Sequence, residues 1–198
     1  MPHLLPLGLM CGTFDPPHRG HLRLAELAAD QLPLEQVLFL PVGQPTHKNT
    51  LTAVHHRLAM TALAIAEHPR FVLDTADADR PPPHYTATLL PILRQRYPTR
   101  ELWLLMGSDS LADLPRWHNP TAVIAHARLA VLARVGVAID WVGLEAAVPG
   151  VGAAVQWLAG DPLPLSSTAA RQAVAKGQAL GEDVPAAVRD YIAHHQLY

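Results

Sequence analysis

The sequence predicts a doubly wound α/β fold, a parallel sheet with helices packed on both faces. Three observations carry that prediction. Short apolar runs alternate with helix-period segments along most of the chain, the order that builds strand–helix–strand units. Two of the runs end in polar turns that hold glycine, Gly12 to His21 and Gly107-Ser108-Asp109, and in such sheets ligands bind beyond the carboxyl ends of the strands. Hydrophobic residues make up 49% of the 198 positions and charged residues 16%, which suits a sheet buried on both faces and argues against disorder.

Taken in order, Leu4 to Cys11 reads as a buried first strand, followed by a Gly/Pro-rich turn. A helix opens near Gly20 with Leu24, Leu27 and Ala28 on one face. Gln36 to Leu40 is a second strand, and the loop Pro41 to Asn49 follows it. Thr52 is placed to cap a helix whose inner face carries Leu58, Ala62 and Ile65. Phe71 to Leu73 is a short third strand. Tyr85 to Tyr97 has helical character, with Pro91 either a kink or a first-turn residue. Leu102 to Met106 is the next strand. Asn119-Pro120 marks a helix start, a cap followed by proline at the first helical position, and Leu129 to Ala133 is a further strand. From Val135 to Asp161 the periodicity blurs, and a strand around Ala154 to Leu158 is all that stands out. Two helices follow, one capped near Ser166 to Thr168 and one from about Pro185 to His195. The expected division is a main α/β domain over residues 1–165 and a small C-terminal helical subdomain over 166–198.

Composition narrows the class. A formal net charge of -2 and a pI near 6.6 provide no basic surface for nucleic acid or an anionic membrane. No apolar run approaches the roughly 20 residues that span a bilayer, and the apolar N-terminus lacks the basic flank of a signal peptide. Cys11 is the single cysteine, which excludes an internal disulfide and a Cys-rich zinc site. The expectation is a cytoplasmic enzyme acting on small molecules, either a monomer or a homo-oligomer.

The first strand–helix turn is built for a polyphosphate. Gly12 lets the backbone come close to a ligand, Pro16-Pro17 stiffens the turn, and Gly20-His21 opens a helix whose free N–H groups and dipole favour anions. His18 and His21 are spaced to face the same anion. On residue type alone such a pair is more often a surface or core feature. A metal site is a further alternative, although no third ligand accompanies the pair at a sensible spacing. No Gly-Lys-Ser/Thr loop and no Gly-x-Gly-x-x-Gly fingerprint occurs at this turn.

The pattern Gly-x-Phe-x-Pro-x-His-x-Gly-His at the end of the first strand resembles the signature of the His-x-Gly-His nucleotidylyltransferase superfamily, whose fold is Rossmann-like. Six further segments, in the same order, are similar to the bacterial nicotinate-nucleotide adenylyltransferases along nearly the whole chain. They are Pro45-Thr46-His47-Lys48, His56-Arg57-Leu58-Ala59-Met60, Tyr85-Thr86-Ala87-Thr88-Leu89, Gly107-Ser108-Asp109, Leu114-Pro115-Arg116-Trp117-His118 and Leu165 to Arg171.

That resemblance implies attack by the phosphate of nicotinate mononucleotide on the α-phosphorus of ATP, with Mg²⁺ carried on the ATP phosphates and no metal site of the protein's own. The nucleophile is already anionic, so the chain needs to supply positioning and charge neutralisation rather than a general base. The resemblance places ATP on Gly12, Thr13, Phe14, His18, Gly20, His21, Gly107, Asp109, Ser167, Thr168 and Arg171. It places nicotinate mononucleotide on Thr13, Phe14, Lys48, Tyr85, Thr86, Asp109, Trp117 and Arg134. His18, His21, Lys48 and Arg171 would carry the catalysis. Each has an ordinary counterpart: Lys48 as a solvated loop lysine, Asp109 as a helix cap, Arg171 as an exposed arginine behind an N-cap, Trp117 as a core residue. Trp117 is expected to stack on a pyridine ring, and the Tyr85-Thr86 amides to meet its carboxylate.

Two departures stand out. Cys11 stands where the family usually has the first of two glycines, and Val135-Gly136 follows Arg134 where Pro-Gly is common. The rivals are a sister enzyme that prefers nicotinamide mononucleotide or phosphopantetheine, a nucleotide-binding regulator without catalysis, and a dinucleotide-dependent dehydrogenase. Tyr85-Thr86 and Trp117 argue against phosphopantetheine. The presence of His18, His21 and Arg171 argues against the regulator, and the missing glycine fingerprint against the dehydrogenase.

Overall fold

The computed structural model of the chain describes residues 4–45 and 52–198. Six parallel strands form one sheet in the order β3-β2-β1-β4-β5-β6, with β1 at Leu7–Gly12, β2 at Gln36–Pro41, β3 at Phe71–Leu73, β4 at Leu102–Gly107, β5 at Arg128–Leu132 and β6 at Val155–Leu158. Parallel pairing requires crossovers, and helices supply them. They are α1 (Arg19–Gln31), α2 (Val54–Ile65), α3 (Ala76–Asp79), α4 (Thr86–Arg96), α5 (Ser108–Asp113), α6 (Pro120–His126), α7 (Trp141–Ala147) and α8 (Val151–Ala154). Two more, α9 (Ser167–Ala175) and α10 (Ala186–His194), follow the last strand.

The strands read as continuous apolar runs because the sheet is buried on both faces. Met10, Val37, Phe39, Trp103, Leu105, Ala130 and Leu132 face one core with α1, α2 and α10. The alternate residues Leu7, Leu9, Leu38, Leu40, Leu102, Leu104, Met106, Leu129 and Val131 face a second core with α4, α6 and α7. Residues of the C-terminal segment, Val184, Val188 and Ile192, are buried in the first of these cores.

Several boundaries move for physical reasons. β1 begins at Leu7, since Leu4 and Leu5 stay about half exposed at 49% and 50%. Pro91 lies inside α4 and not in its first turn. Asn119 precedes α6 in a left-handed conformation (φ 46) and its side chain accepts from the Thr121 hydroxyl at 3.1 Å instead of capping the helix. Ala53, not Thr52, is the residue before α2. The inner face of α2 consists of Arg57, Met60, Thr61, Ala64 and Ile65, while Ala62 is exposed. An apolar-only reading mis-phases this helix, because a buried arginine occupies the inward stripe.

Strand order reverses between β1 and β4, which opens a crevice at the carboxyl ends of these two strands. Each of the two ends in glycine, Gly12 and Gly107.

Candidate active site

The turn after β1 is held tightly. Phe14 adopts φ 52 and is buried, its ring lying over Gly12, where a Cβ would come within 3.0 Å of it. A left-handed phenylalanine is uncommon and persists only where surrounding packing over-determines it. Here Phe39 and His21 supply that packing, with ring centroids 5.7 and 5.0 Å from Phe14. The bare backbone at Gly12 thus accommodates a ring of the chain itself. Gly20 does the same for His18, since a Cβ there would stand 3.0 Å from the Nδ1 and Cε1 of that imidazole.

His18 and His21 stack with centroids 3.7 Å apart. The backbone N–H of His18 donates to His21 Nδ1 at 3.2 Å, which assigns the His21 proton to Nε2. His18 is 5% exposed, and its Nδ1 is buried without a hydrogen-bond partner. Burial, joined by the positive charge of Arg134 and opposed by Asp183, holds the His18 pKa down to about 4. The His18 imidazole, at the N-terminus of a thirteen-residue helix, therefore carries little positive charge of its own, with His21 Nε2–H beside it.

Arg57 fastens this turn to the neighbouring loops. It is 1% exposed and donates to four backbone carbonyls: Thr13 at 2.9 Å, Val42 at 2.7 Å, Gly43 at 2.5 Å and Thr52 at 3.0 Å. Burial lowers its pKa, and the charge of Asp15 opposes that shift. Asp15, itself 1% exposed, accepts from the Tyr198 hydroxyl at 2.7 Å and from the Thr52 N–H at 3.4 Å. Burial, followed by this bond to Asp15, pushes the Tyr198 pKa up, so the phenol remains a donor. Arg57 and Asp15 both lie in segments that carry the resemblance, yet neither is singled out there as a site residue, since an arginine in a helix usually faces solvent. Arg57 falling on the apolar stripe with Met60, Ala64 and Ile65 is the signal that could have found it.

The C-terminal segment closes over the same turn. Arg171 donates to Asp15 O at 2.7 Å and to the Thr168 hydroxyl at 3.3 Å, and the Ser167 hydroxyl donates to Pro16 O at 2.8 Å. The hydroxyl that caps α9 belongs to Ser166, which accepts from Ala169 N at 3.2 Å. Ser167 therefore serves the turn instead of the cap. Arg19 completes the seam through the carbonyls of Glu182 and Asp183, at 2.6 and 2.8 Å.

Two cavities open at the strand ends. One, of about 290 Å³, is lined by Gly12, Thr13, His18, Gly20, His21, Gly107, Ser110 and Arg134, among others. Beside it Arg134 pairs with Asp109 at 3.2 Å, across the face of Gly107, where a Cβ would collide with both. The other, of about 540 Å³, is lined by Pro45, Tyr85, Asp113, Arg116 and His118. Val42, His84, Thr86 and Trp117 line both, so the cavities adjoin. Trp117 is half-buried, packed against the second core on one side and facing the cavities on the other. Tyr85 stacks on His118 at 4.2 Å.

The predicted residues Gly12, Thr13, His18, Gly20, His21, Gly107, Thr86, Trp117 and Arg134 thus come together, with Tyr85 in the adjoining cavity. Asp109 stands at the rim, and Ser167, Thr168 and Arg171 pack behind the turn. The Phe14 side chain belongs to the core. Lys48 lies outside the described residues. Burial, with the charge of Asp77 next, pushes the Cys11 thiol pKa up, so Cys11 is no nucleophile at neutral pH. Among the described residues no group of three or more His, Cys, Asp or Glu side chains could hold a metal, and no helix is long and apolar enough to cross a membrane.

Residues 9–173 match the family described as cytidylyltransferase-like. A protein of Thermomicrobium roseum named as a probable nicotinate-nucleotide adenylyltransferase is 44% identical over 97% of this chain and 91% of its own length. One of Roseiflexus sp. with the same name is 40% identical over 98% of each. A solved nicotinic acid mononucleotide adenylyltransferase of Plasmodium falciparum, complexed with NaAD, superposes with a TM-score of 0.78 over 98% of both chains at 17% identity, a likeness of fold. The chain belongs to the nicotinate-nucleotide adenylyltransferase family, within the cytidylyltransferase-like group.

Proposed function

We propose that the chain transfers the adenylyl group of ATP to nicotinate mononucleotide, forming nicotinate adenine dinucleotide and pyrophosphate. The observation that carries this reading is the pair of adjoining cavities at the β1/β4 switch point, which share Val42, His84, Thr86 and Trp117. A two-substrate transfer needs the acceptor phosphate and the α-phosphorus of ATP to meet where two binding sites join.

In this reading the ATP phosphates lie on the His18–His21 end of α1, and the triphosphate tail runs toward Thr168 and Arg171. The ribose lies near Asp109 and Arg134. Ser167 and Arg171 keep the turn in place through the Pro16 and Asp15 carbonyls, and Arg171 can turn part of its five-donor fork toward the β- and γ-phosphates. An oxygen of the acceptor phosphate forms the new bond to the α-phosphorus as the bond to the β-phosphate bridging oxygen breaks. The departing pyrophosphate takes the electron pair of that bond. Mg²⁺ would enter with ATP, bound through its phosphates. Residues 166–198 complete the ATP site by holding the turn, and the cytoplasm, where both nucleotides are drawn from, is the expected compartment.

The larger cavity takes the pyridine ring against Trp117, with the amides that open α4 near its carboxylate. Trp117→Ala is expected to raise the acceptor KM about tenfold and the ATP KM less than about twofold. A change confined to thermal stability would return Trp117 to a purely structural role. The reading as a whole is tested by coupled pyrophosphate release with MgATP and either mononucleotide. Turnover with the acid well above that with the amide is expected, and equal or faster turnover with the amide would overturn the acceptor assignment.

A further inference from the structure

Among the described residues, the buried side-chain atoms without a hydrogen-bond partner are His18 Nδ1 and His84 Nδ1. His18 belongs to the phosphate turn. The His84 side chain is 3% exposed and lies where the two cavities join. Its Nδ1 is 3.5 Å from Asp77 Oδ1, at ion-pair but not hydrogen-bond distance. Its other edge crosses Gly43, where a Cβ would stand 2.5 Å from Cε1 and 2.8 Å from Nε2. Glycine at that position lets the ring fit between the β2 loop and the start of α4.

The ring's backing is rigid. Asp77 is 5% exposed and is held by Arg80 Nε at 2.5 Å. Arg80 continues to Pro83 O at 2.8 Å, the Thr88 hydroxyl at 3.0 Å and Tyr85 O at 3.1 Å, fixing the segment that leads into the eleven-residue helix α4. A buried imidazole whose Nδ1 faces a buried carboxylate thus stands beside a helix N-terminus, on the wall of the acceptor cavity.

We propose that His84 is a specificity-determining residue. Backed by Asp77, its imidazole donates a hydrogen bond to the ring carboxylate of the acceptor and makes the site prefer a pyridine carboxylate over the corresponding amide. This rests on the acceptor reading given above. Nδ1 faces Asp77, which leaves the Nε2 edge for the acceptor, and a pyridine carboxylate there can only accept. Hydrogen bonds between charged partners are roughly twice as strong as neutral ones. An amide can offer its carbonyl oxygen to the same donor but carries no negative charge to strengthen the bond. Helix amides supply a partial charge; His84 would add a side-chain donor beside them.

The test is kcat/KM for nicotinate and nicotinamide mononucleotides at saturating MgATP, in the unmodified protein, His84→Gln and His84→Ser. Glutamine keeps a neutral donor and much of the volume, serine relieves any crowding over Gly43, and a melting curve for each variant establishes that it is folded. The expected result is a rise of about tenfold or more in KM for the acid with little change for the amide, which lowers the acid-to-amide ratio of kcat/KM by about tenfold. An unchanged ratio in folded variants, or equal losses on both acceptors, would overturn the role of His84. An unmodified protein that adenylates neither acceptor would instead sink the acceptor reading on which this inference rests.

Discussion

Replacing His18 by alanine lowers kcat by about 10²–10³ and leaves the protein folded. The imidazole lies over Gly20 at the N-terminus of α1, stacked on His21, with Nδ1 buried and unpartnered. An atom so placed adds no hydrogen bond to the resting fold and has a use when an oxyanion arrives. Deleting it removes a donor aimed at the charge that develops during transfer, so the loss falls mainly on kcat and not on the ATP KM. The stability effect is small because two terms oppose: a cavity opens, and an unsatisfied buried nitrogen disappears.

The pH dependence of stability gives a second readout of the same residue. The folded pKa of His18 is held at about 4, below the ordinary 6.5, by burial and by Arg134. Above pH 6.5 both the folded and unfolded chains leave it neutral, and it contributes no slope. As pH falls from 6.5 toward 4, the unfolded chain binds a proton that the folded one refuses, so stability declines across that window and levels off below it. The full loss linked to this group is about 3 kcal/mol. The difference in unfolding free energy between the unmodified protein and His18→Ala, measured across that window, should show that limb. A difference independent of pH would mean that His18 is not held neutral by the fold.

Arg57→Met destabilises the protein by about 3–5 kcal/mol, or roughly 10 °C in Tm. Its guanidinium is shared among the carbonyls of Thr13, Val42, Gly43 and Thr52. Methionine fills similar space but leaves those acceptors unsatisfied and the buried Asp15 without its nearby cation. Because the same carbonyls set the ends of the β1 and β2 loops, any folded fraction should show a raised KM for both substrates. Arg57→Lys restores the charge but not the fork, and recovers only part of the loss. A variant as stable as the parent in urea unfolding would show that the carbonyls find other partners.

How far the sequence foretells this arrangement depends on the kind of signal. β3 at Phe71–Leu73 is legible to the residue, and β2 and β4 nearly so, because double-sided burial leaves unbroken apolar runs. The turn after β1 is legible because glycine, proline and histidine each mark a specific backbone or donor requirement. The region around α7 and α8 is not, since two short helices of seven and four residues carry too little periodicity to register. In α2 the pattern misleads. Arg57 counts as polar by type, yet its donors are satisfied by carbonyls that come from distant parts of the chain. The unpartnered nitrogen of His84 and the bond from Tyr198 to Asp15, across most of the sequence, are properties of the folded chain alone. Such long-range polar satisfaction leaves no local trace.

The central claim is that the turn after β1 and the crevice beside it direct transfer of an adenylyl group, and labelled ATP tests it most directly. ATP carrying ³²P in the α-phosphate, incubated with the protein, Mg²⁺ and nicotinate mononucleotide, should place all of the transferred label in a dinucleotide. ATP labelled in the γ-phosphate should yield the same dinucleotide unlabelled, with the label in pyrophosphate. Label from the γ-phosphate in the acceptor product, or pyrophosphate released equally fast without any mononucleotide, would contradict the account.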